Sequence, residues 1–139
     1  MILRQNDSVI DAIEAEALEY LPAIDCPLTH RFCDGQYIRE IVMPAESLVT
    51  SAIHKTQHPF IISKGKVSVS IDGGEWEYFE APHTGITQAG TRRVLYIHED
   101  CVWTTIHKND DNKQDIDAIW DRIIEPYINQ LTNTKNIEP

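Results

Sequence analysis

Between Tyr37 and His107 the sequence alternates apolar and polar residues in short runs that are broken by turn residues and never by a helical repeat. The runs read YIREIVM, LVTSAIH, FIISKGKVSVSID, WEYFEAP, ITQAGTRRVLYIH and CVWTTIH. A period of two sends successive side chains to opposite faces, so each run is a strand with one face to bury. Asp72-Gly73-Gly74 is a hairpin signal, and Pro44-Ala45-Glu46, Pro82 and Ala89-Gly90 mark further turns. About seven or eight short strands at hairpin spacing, with no helix among them, predict an all-β barrel or sandwich and exclude a parallel α/β sheet.

The flanks read differently. Residues 8–21 carry a helical repeat: Ser8 can cap it with Asp11 three residues on, and Ile10, Ile13, Ala17 and Leu21 share one face. Asp11, Glu14, Glu16 and Glu19 fall largely off that face. Pro22 ends the helix, and LPAIDCPLTH reads as an extended linker. A second helix is predicted over 110–131, with Asp111 as cap, Gln114 three residues on, and a stripe of Ile116, Ile119, Trp120, Ile123 and Tyr127. Pro126 should kink it or end it early, and the tail TNTKNIEP should fray. With 139 residues there is room for one domain, spanning 1–139, with the barrel over 37–107.

Charge and cysteine content narrow the function classes. A net charge of −10 repels phosphate backbones and argues against a nucleic-acid partner, while leaving room for one local basic pocket. No run approaches the ~18 apolar residues of a membrane span, so no membrane association is expected. The N-terminus lacks the charged-then-apolar pattern of a secretory leader. Cys26, Cys33 and Cys101 are odd in number and irregular in spacing, which fits reduced thiols in a cytoplasm. Cys26 and Cys33 form at most half of a zinc site, and no second half follows.

The stretch 52–69, A-I-H-K-T-Q-H-P-F-I-I-S-K-G-K-V-S-V, places His54 and His58 before an apolar strand that ends at Gly65 and resumes as a second strand. It resembles the first motif of the cupin superfamily, the RmlC-like proteins. In that motif two histidines and a glutamate precede an apolar strand and a glycine turn. Aligned on Gly65, His54 stands for the second histidine and His58 for the glutamate, while Ala52 occupies the place of the first histidine. Gln88-Ala89-Gly90-Thr91-Arg92-Arg93 resembles the second motif: Gly90 matches its glycine, Gln88 replaces its proline and Arg93 replaces its histidine. The metal set of the family is therefore not carried over whole. A closer likeness, through IHKTQH, SKGKVSV, TGITQAGTRRVLY and HEDCVWTTIH, is to small cupin-like proteins encoded by tailed bacteriophages. The resemblance implies a small cupin-type jelly-roll β-barrel with flanking helices, a homodimer, and a host cytoplasm as its setting, but no established reaction.

Strand parity groups the candidate residues. If His58 faces inward, so do Phe60 and Ile62; Arg93 would share a face with Leu95 and Ile97, and His107 with Thr105 and Trp103. The register of the last strand stays open. One reading is a metal site in which neutral imidazoles of His54, His58 and His107 bind a divalent ion such as zinc, iron, nickel or copper. Another is a metal-free pocket for a small anionic ligand such as a sugar nucleotide, a nucleotide signal or an organic acid. There Arg93 with His54 and His58 grips the anion and Trp103 stacks on the ligand. The cupin epimerases set a tyrosine opposite a barrel-interior histidine base; Tyr78 and Tyr96 are the candidates for that acid here, although neither position matches a family motif. A third is a structural or interaction protein with an empty barrel. Whether the chain is an enzyme stays open. Against these stand plainer expectations: Arg92 and Arg93 as a solvated pair at a turn, His98-Glu99-Asp100 as an exposed turn, His83 exposed, and His30 without a partner.

Overall fold

The computed structural model describes residues 7–20 and 24–126. In chain order they form α1 (Asp7–Tyr20), β1 (Leu28–Cys33), β2 (Gln36–Met43), β3 (Leu48–Thr50), β4 (Ile53–His54), β5 (His58–Ile71), β6 (Trp76–Glu80), β7 (His83–Thr87), β8 (Arg93–Lys108), α2 (Ile116–Ile123) and β9 (Ile124–Glu125). Every pairing is antiparallel. The main sheet runs β1-β2-β8-β5-β6, with β3 added to β8 and β7 added to β5, and β4 and β9 make a separate two-stranded ribbon.

Two long strands carry the architecture. β5 has 14 residues and β8 has 16, and they pair with each other along most of their length. On its other edge β5 takes β7 along its first half and β6 along its second. β8 likewise takes β3 and then β2. Each long strand thus serves two hairpins, and the sheet curls around an apolar interior. Gly65 and His98-Glu99-Asp100 do not end strands, as the sequence had suggested. They lie inside β5 and β8, where the pairing register shifts between Ile62 and Val67. The shift has a clear purpose in side-chain terms. His58, Phe60 and Ile62 are buried before it and Val67 and Val69 after it, so the inward parity changes from even to odd. An unbroken strand would turn one of these sets to solvent; a bulge keeps both inside.

Gly65 makes that bulge possible. Its φ is 98°, and a Cβ there would lie against the Asp100 carbonyl oxygen and 2.7 Å from the Cys101 Cα. Backbone atoms cannot step aside as a flexible side chain can. Gly65→Ala is expected to cost at least ~2 kcal/mol, from left-handed strain plus displacement of β8, readable as a lower urea midpoint at constant slope. A loss under about half that would show that the bulge is soft.

Several boundaries differ from the sequence expectations. The barrel starts at Leu28, not Tyr37, because the last residues of the expected linker pair with β2 from Leu28↔Ile41 to Cys33↔Gln36. Among the described residues of 110–131, which end at 126, only Ile116–Ile123 is helical. Its cap is Asp115, whose side chain accepts from the Ala118 amide at 3.2 Å, rather than Asp111. Asp111 instead pairs with Arg122 at 3.0 Å. Ile124 and Glu125 leave the helix to pair with β4. Leu21 and Tyr127 lie outside the described residues, as do Pro22 and the TNTKNIEP tail.

The first helix shows the largest departure. Ile10 is buried, but so are Asp11 and Glu14, each 1% exposed. They meet Arg92, which is fully buried, at 2.9 Å (Nη1 to Asp11 Oδ1) and 3.0 Å (Nη2 to Glu14 Oε1). Arg92 is therefore no solvated turn residue: it is the buried tie between α1 and the start of β8. The three cysteines are free; Cys101 is buried in the barrel core, and burial pushes its thiol up to about 11. Among the described residues no helix is long and apolar enough to cross a membrane.

Candidate functional site

The interior side chains of β2 and β8 stack in register as layers: Ile41 opposite Trp103, Arg39 opposite Thr105, Tyr37 opposite His107. The Ile41 and Trp103 layer belongs to the large apolar core, which also contains Val67, Val69, Leu95 and Ile97. The Tyr37 layer belongs to a second apolar cluster with Ala52, Ile119, Ile123 and Ile124, where α2 covers this end of the barrel. The polar layer of Arg39 and Thr105 lies between two apolar ones, and it is joined by His54, His58 and Arg93.

His54, His58 and His107 are 5%, 3% and 2% exposed. Their ring centroids lie 4.3 Å (His54 to His58), 4.6 Å (His58 to His107) and 5.2 Å (His54 to His107) apart. One ligating nitrogen from each lies within 4.8 Å of the other two. Three elements hold them. β4 carries His54, tied through β9 at His54↔Ile124 and by the Gly90 amide, which donates to the His54 carbonyl at 2.9 Å. β5 carries His58 at its first residue, and β8 carries His107 on the inner face with Thr105 and Trp103, which settles the register that the sequence left open.

The hydrogen bonds sort the imidazole nitrogens. His58 Nδ1 lies 3.2 Å from the Thr56 carbonyl oxygen. A carbonyl only accepts, so Nδ1 carries the proton and Nε2 holds a lone pair. His107 Nε2 is paired with the Thr105 hydroxyl at 2.8 Å. The opposite nitrogens, His58 Nε2 and His107 Nδ1, are buried with no hydrogen-bond partner, as is His54 Nδ1. Buried polar atoms are nearly always satisfied, so three orphans in one cluster ask for an occupant.

Electrostatics hold the rings neutral. Burial, then the neighbouring His58 and His107 and the two arginines, brings His54 down to about 2. Burial brings His107 to about 3, helped by His58 and Arg39. For His58 burial dominates, the Thr56 bond opposes it and Arg93 adds to it, leaving about 4. Neutral imidazole is the form that ligates a metal.

Two guanidinium groups flank the cluster. Arg39, 5% exposed, lies 4.5 Å over the Trp120 ring of α2, and Trp120 meets His54 edge-on at 6.1 Å. Arg93, also 5% exposed, donates from Nη1 to Thr87 Oγ1 at 3.0 Å and lies 5.2 Å over the Trp103 ring. Its backbone amide is held by Ser51 Oγ at 2.9 Å. The cavity between His54, Arg39, Arg93, Thr105, Ile41 and Trp103 offers about 10 Å³ to the centre of a water-sized sphere, the room of one water or one ion.

Of the residues the sequence singled out, His54, His58, His107, Arg93 and Trp103 come together. Tyr78 and Tyr96 do not. They are 51% and 38% exposed on the outer face, each edge-on to His98, and neither reaches the histidine cluster. Register explains it: Tyr78 and Tyr96 both pair with Ser68 of β5, whose inward residues are the neighbouring Val67 and Val69. His98 lies within a strand and meets Ser68 Oγ at 2.7 Å. His83 is half-buried against Phe79, ring centroids 4.4 Å apart, and His30 bonds the Tyr37 hydroxyl at 2.6 Å. Sequence reasoning missed Arg39, Tyr37, Thr105 as a histidine partner, and Trp120 as a lid. The signal for the first two was present: in YIREIVM, Tyr37 and Arg39 share the parity of Ile41 and Met43.

No family model matches the sequence, and no curated protein matches it. Solved structures do resemble the fold. An RmlC-like cupin family protein with a double-stranded β-helix fold from Methanocaldococcus jannaschii is 11% identical with a TM-score of 0.52, over 65% of this chain and 85% of that one. The cupin domain of Cnp3 from Schizosaccharomyces pombe is 13% identical with a TM-score of 0.51, over 73% of this chain and 76% of that one. The Cupin_2 domain of an XRE family transcriptional regulator from Enterobacter cloacae is 14% identical with a TM-score of 0.51, over 60% and 97%. With its antiparallel pairing, two long central strands and enclosed histidine layer, the chain has the small all-β jelly-roll fold of the cupin double-stranded β-helix proteins.

Proposed function

We propose that the barrel binds a divalent transition ion through His54, His58 and His107, and that a small anion completes the site. The observation that carries this reading is the convergence of three buried, neutral imidazoles, each with one unpartnered nitrogen. The surroundings fit the group. The Thr56 carbonyl fixes the tautomer of His58 and the Thr105 hydroxyl orients His107, as the outer partners of ligating histidines do. A three-nitrogen set suits zinc, iron, nickel or copper better than magnesium or calcium. Bound there, the ion would supply Lewis acidity toward an oxygen of a small ligand.

The chain's own residues supply the rest. The donor set contains no carboxylate, so the ion's charge is not neutralised by its ligands. Arg39 and Arg93 add positive charge beside it, which opposes the ion on its own and favours an anion that offsets both, so the ion and the anion would bind together. Trp120 and α2 close one end of the layer and Trp103 with Phe60 the other, which limits water. The cavity beside His54 has room for one water-sized group of a ligand, not for a sugar nucleotide. The likeness of IHKTQH and SKGKVSV to phage-encoded proteins makes the cytoplasm of an infected host the setting for this binding.

Metal analysis tests the reading. Purified protein should take up close to one equivalent of zinc or cobalt, with a rise in melting temperature that grows with metal concentration. His58→Ala and His107→Ala should lower affinity by at least about 100-fold while the circular dichroism of the barrel is retained. Metal content unchanged in the His54→Ala/His58→Ala double variant would remove the proposal.

A further inference from the structure

A second space lies across Trp103 from the histidine layer. It measures about 380 Å³, within the range of small-molecule pockets, and is lined by residues of β5, β6, β7 and β8. Phe60, Phe79 and Trp103 wall it. Phe60 and Trp103 are stacked at 4.6 Å and 9°, and His83 leans between Phe60 and Phe79 at 5.8 and 4.4 Å. Gly85 keeps that wall in place, since a Cβ there would come within 2.6 Å of the Phe60 ring.

One positive charge reaches this largely apolar space. Arg93 lines it as well as the small histidine cavity. Its Nη1 is held by Thr87, while its Nε is buried with no partner, and no carboxylate among the described residues pairs with it. This sets it apart from Arg92 beside it, which meets two carboxylates. A buried guanidinium with no counter-charge is costly, and its planar fork matches a carboxylate. The one acid lining the space, Glu77, pairs with Val69 of β5, so a whole strand separates it from β8 and Arg93.

We infer that this cleft binds a small monocarboxylate with a flat or apolar body, its carboxylate on Arg93 and its body between Phe79 and the Phe60–Trp103 stack. A phosphate ester would fit less well, because one guanidinium answers one negative charge and the walls offer no further cation. A second carboxylate at the far end would meet Glu77. The inference deepens the small-anion part of the proposed function and does not need the metal: the cleft and its charge are complete without one.

The probes are 3-phenylpropionate, its uncharged amide, and acetate, titrated by calorimetry into the full chain after chelation of any metal. The acid should bind at least about tenfold more tightly than the amide and than acetate, the first difference reporting Arg93 and the second the aromatic walls. Arg93→Gln should abolish the preference for acid over amide. Phe79→Ala should weaken the acid while preserving that preference. Equal binding of acid and amide, or no heat from either at millimolar concentration in wild type, would overturn the inference whether or not the variants fold. Metal uptake, measured on the same preparation before chelation, reports on the histidine site independently.

Discussion

Arg92→Met is expected to lower the unfolding free energy by about 3–5 kcal/mol, the usual loss when one partner of a buried ionic group is removed. Arg92 is fully buried and sits 2.9 Å from Asp11 and 3.0 Å from Glu14. Removing it takes from two carboxylates, each 1% exposed, the guanidinium that they share. They must then take up protons or drag α1 off the barrel toward water. The carboxylates of α1 are what the variant strands, so a triple variant with Asp11→Leu and Glu14→Met should recover most of the loss. Chemical denaturation of the single and triple variants checks both. A single-variant loss under about 1 kcal/mol would mean that α1 is only loosely seated and that the triad does not hold it.

The second large effect is acid sensitivity of the metal-free chain. Its cause is that His54, His58 and His107 stay neutral when folded, held down to about 2, 4 and 3 by burial first. In the unfolded chain each titrates near 6.5. Above that value both states are neutral and the three groups add no pH dependence. Below it the unfolded chain binds protons that the folded chain refuses, so stability falls as the pH falls, until the folded values are reached. Each group contributes about 1.4 kcal/mol per pH unit, and the three together about 4 between pH 5.5 and 4.5. For a total stability of about 5 kcal/mol, the low end of the usual range, that brings acid unfolding to about pH 5, and a more stable chain would lose the same free energy and unfold at lower pH. Urea midpoints measured from pH 7 to 4.5 should show this slope, and His58→Gln should reduce it by about a third. A flat profile down to pH 4.5 would mean that the rings already carry protons in the folded state.

How far the sequence led depended on the residues concerned. Alternation located the strand-bearing stretches from β2 to β8, because one buried face imposes a period of two, but it merged β3 with β4 and missed β1 and β9. It failed at Lys64-Gly65-Lys66 and at His98-Glu99-Asp100, since a bulge uses the same polar and glycine residues as a turn. Two long strands were therefore read as four. His54, His58 and Arg93 were legible through the likeness to the two motifs, while parity alone left the face of His107 and Trp103 open. Tyr78 was misread because the turn at Pro82 provides no anchor for the parity of WEYFE. The carboxylates of α1 followed a general preference for water that Arg92, some eighty residues later in the chain, overrides; nothing local encodes that pairing. α2 was overextended because Ile124 and Glu125 suit a helix until the open edge of β4 offers them hydrogen bonds.

The ribbon of β4 and β9 joins two things that look separate along the chain. His54 sits opposite Ile124, and the Lys55 amide donates to the Ile123 carbonyl at 2.8 Å. The arm that follows the barrel is thus the splint that sets the height of His54 in the histidine layer. A protease nick or a fusion that peels residues 116–125 away would release that ring and uncover Arg39 together. Occupancy of the three imidazoles, in turn, would clamp the arm down, so the chain's last described segment and its innermost polar layer open and close as one.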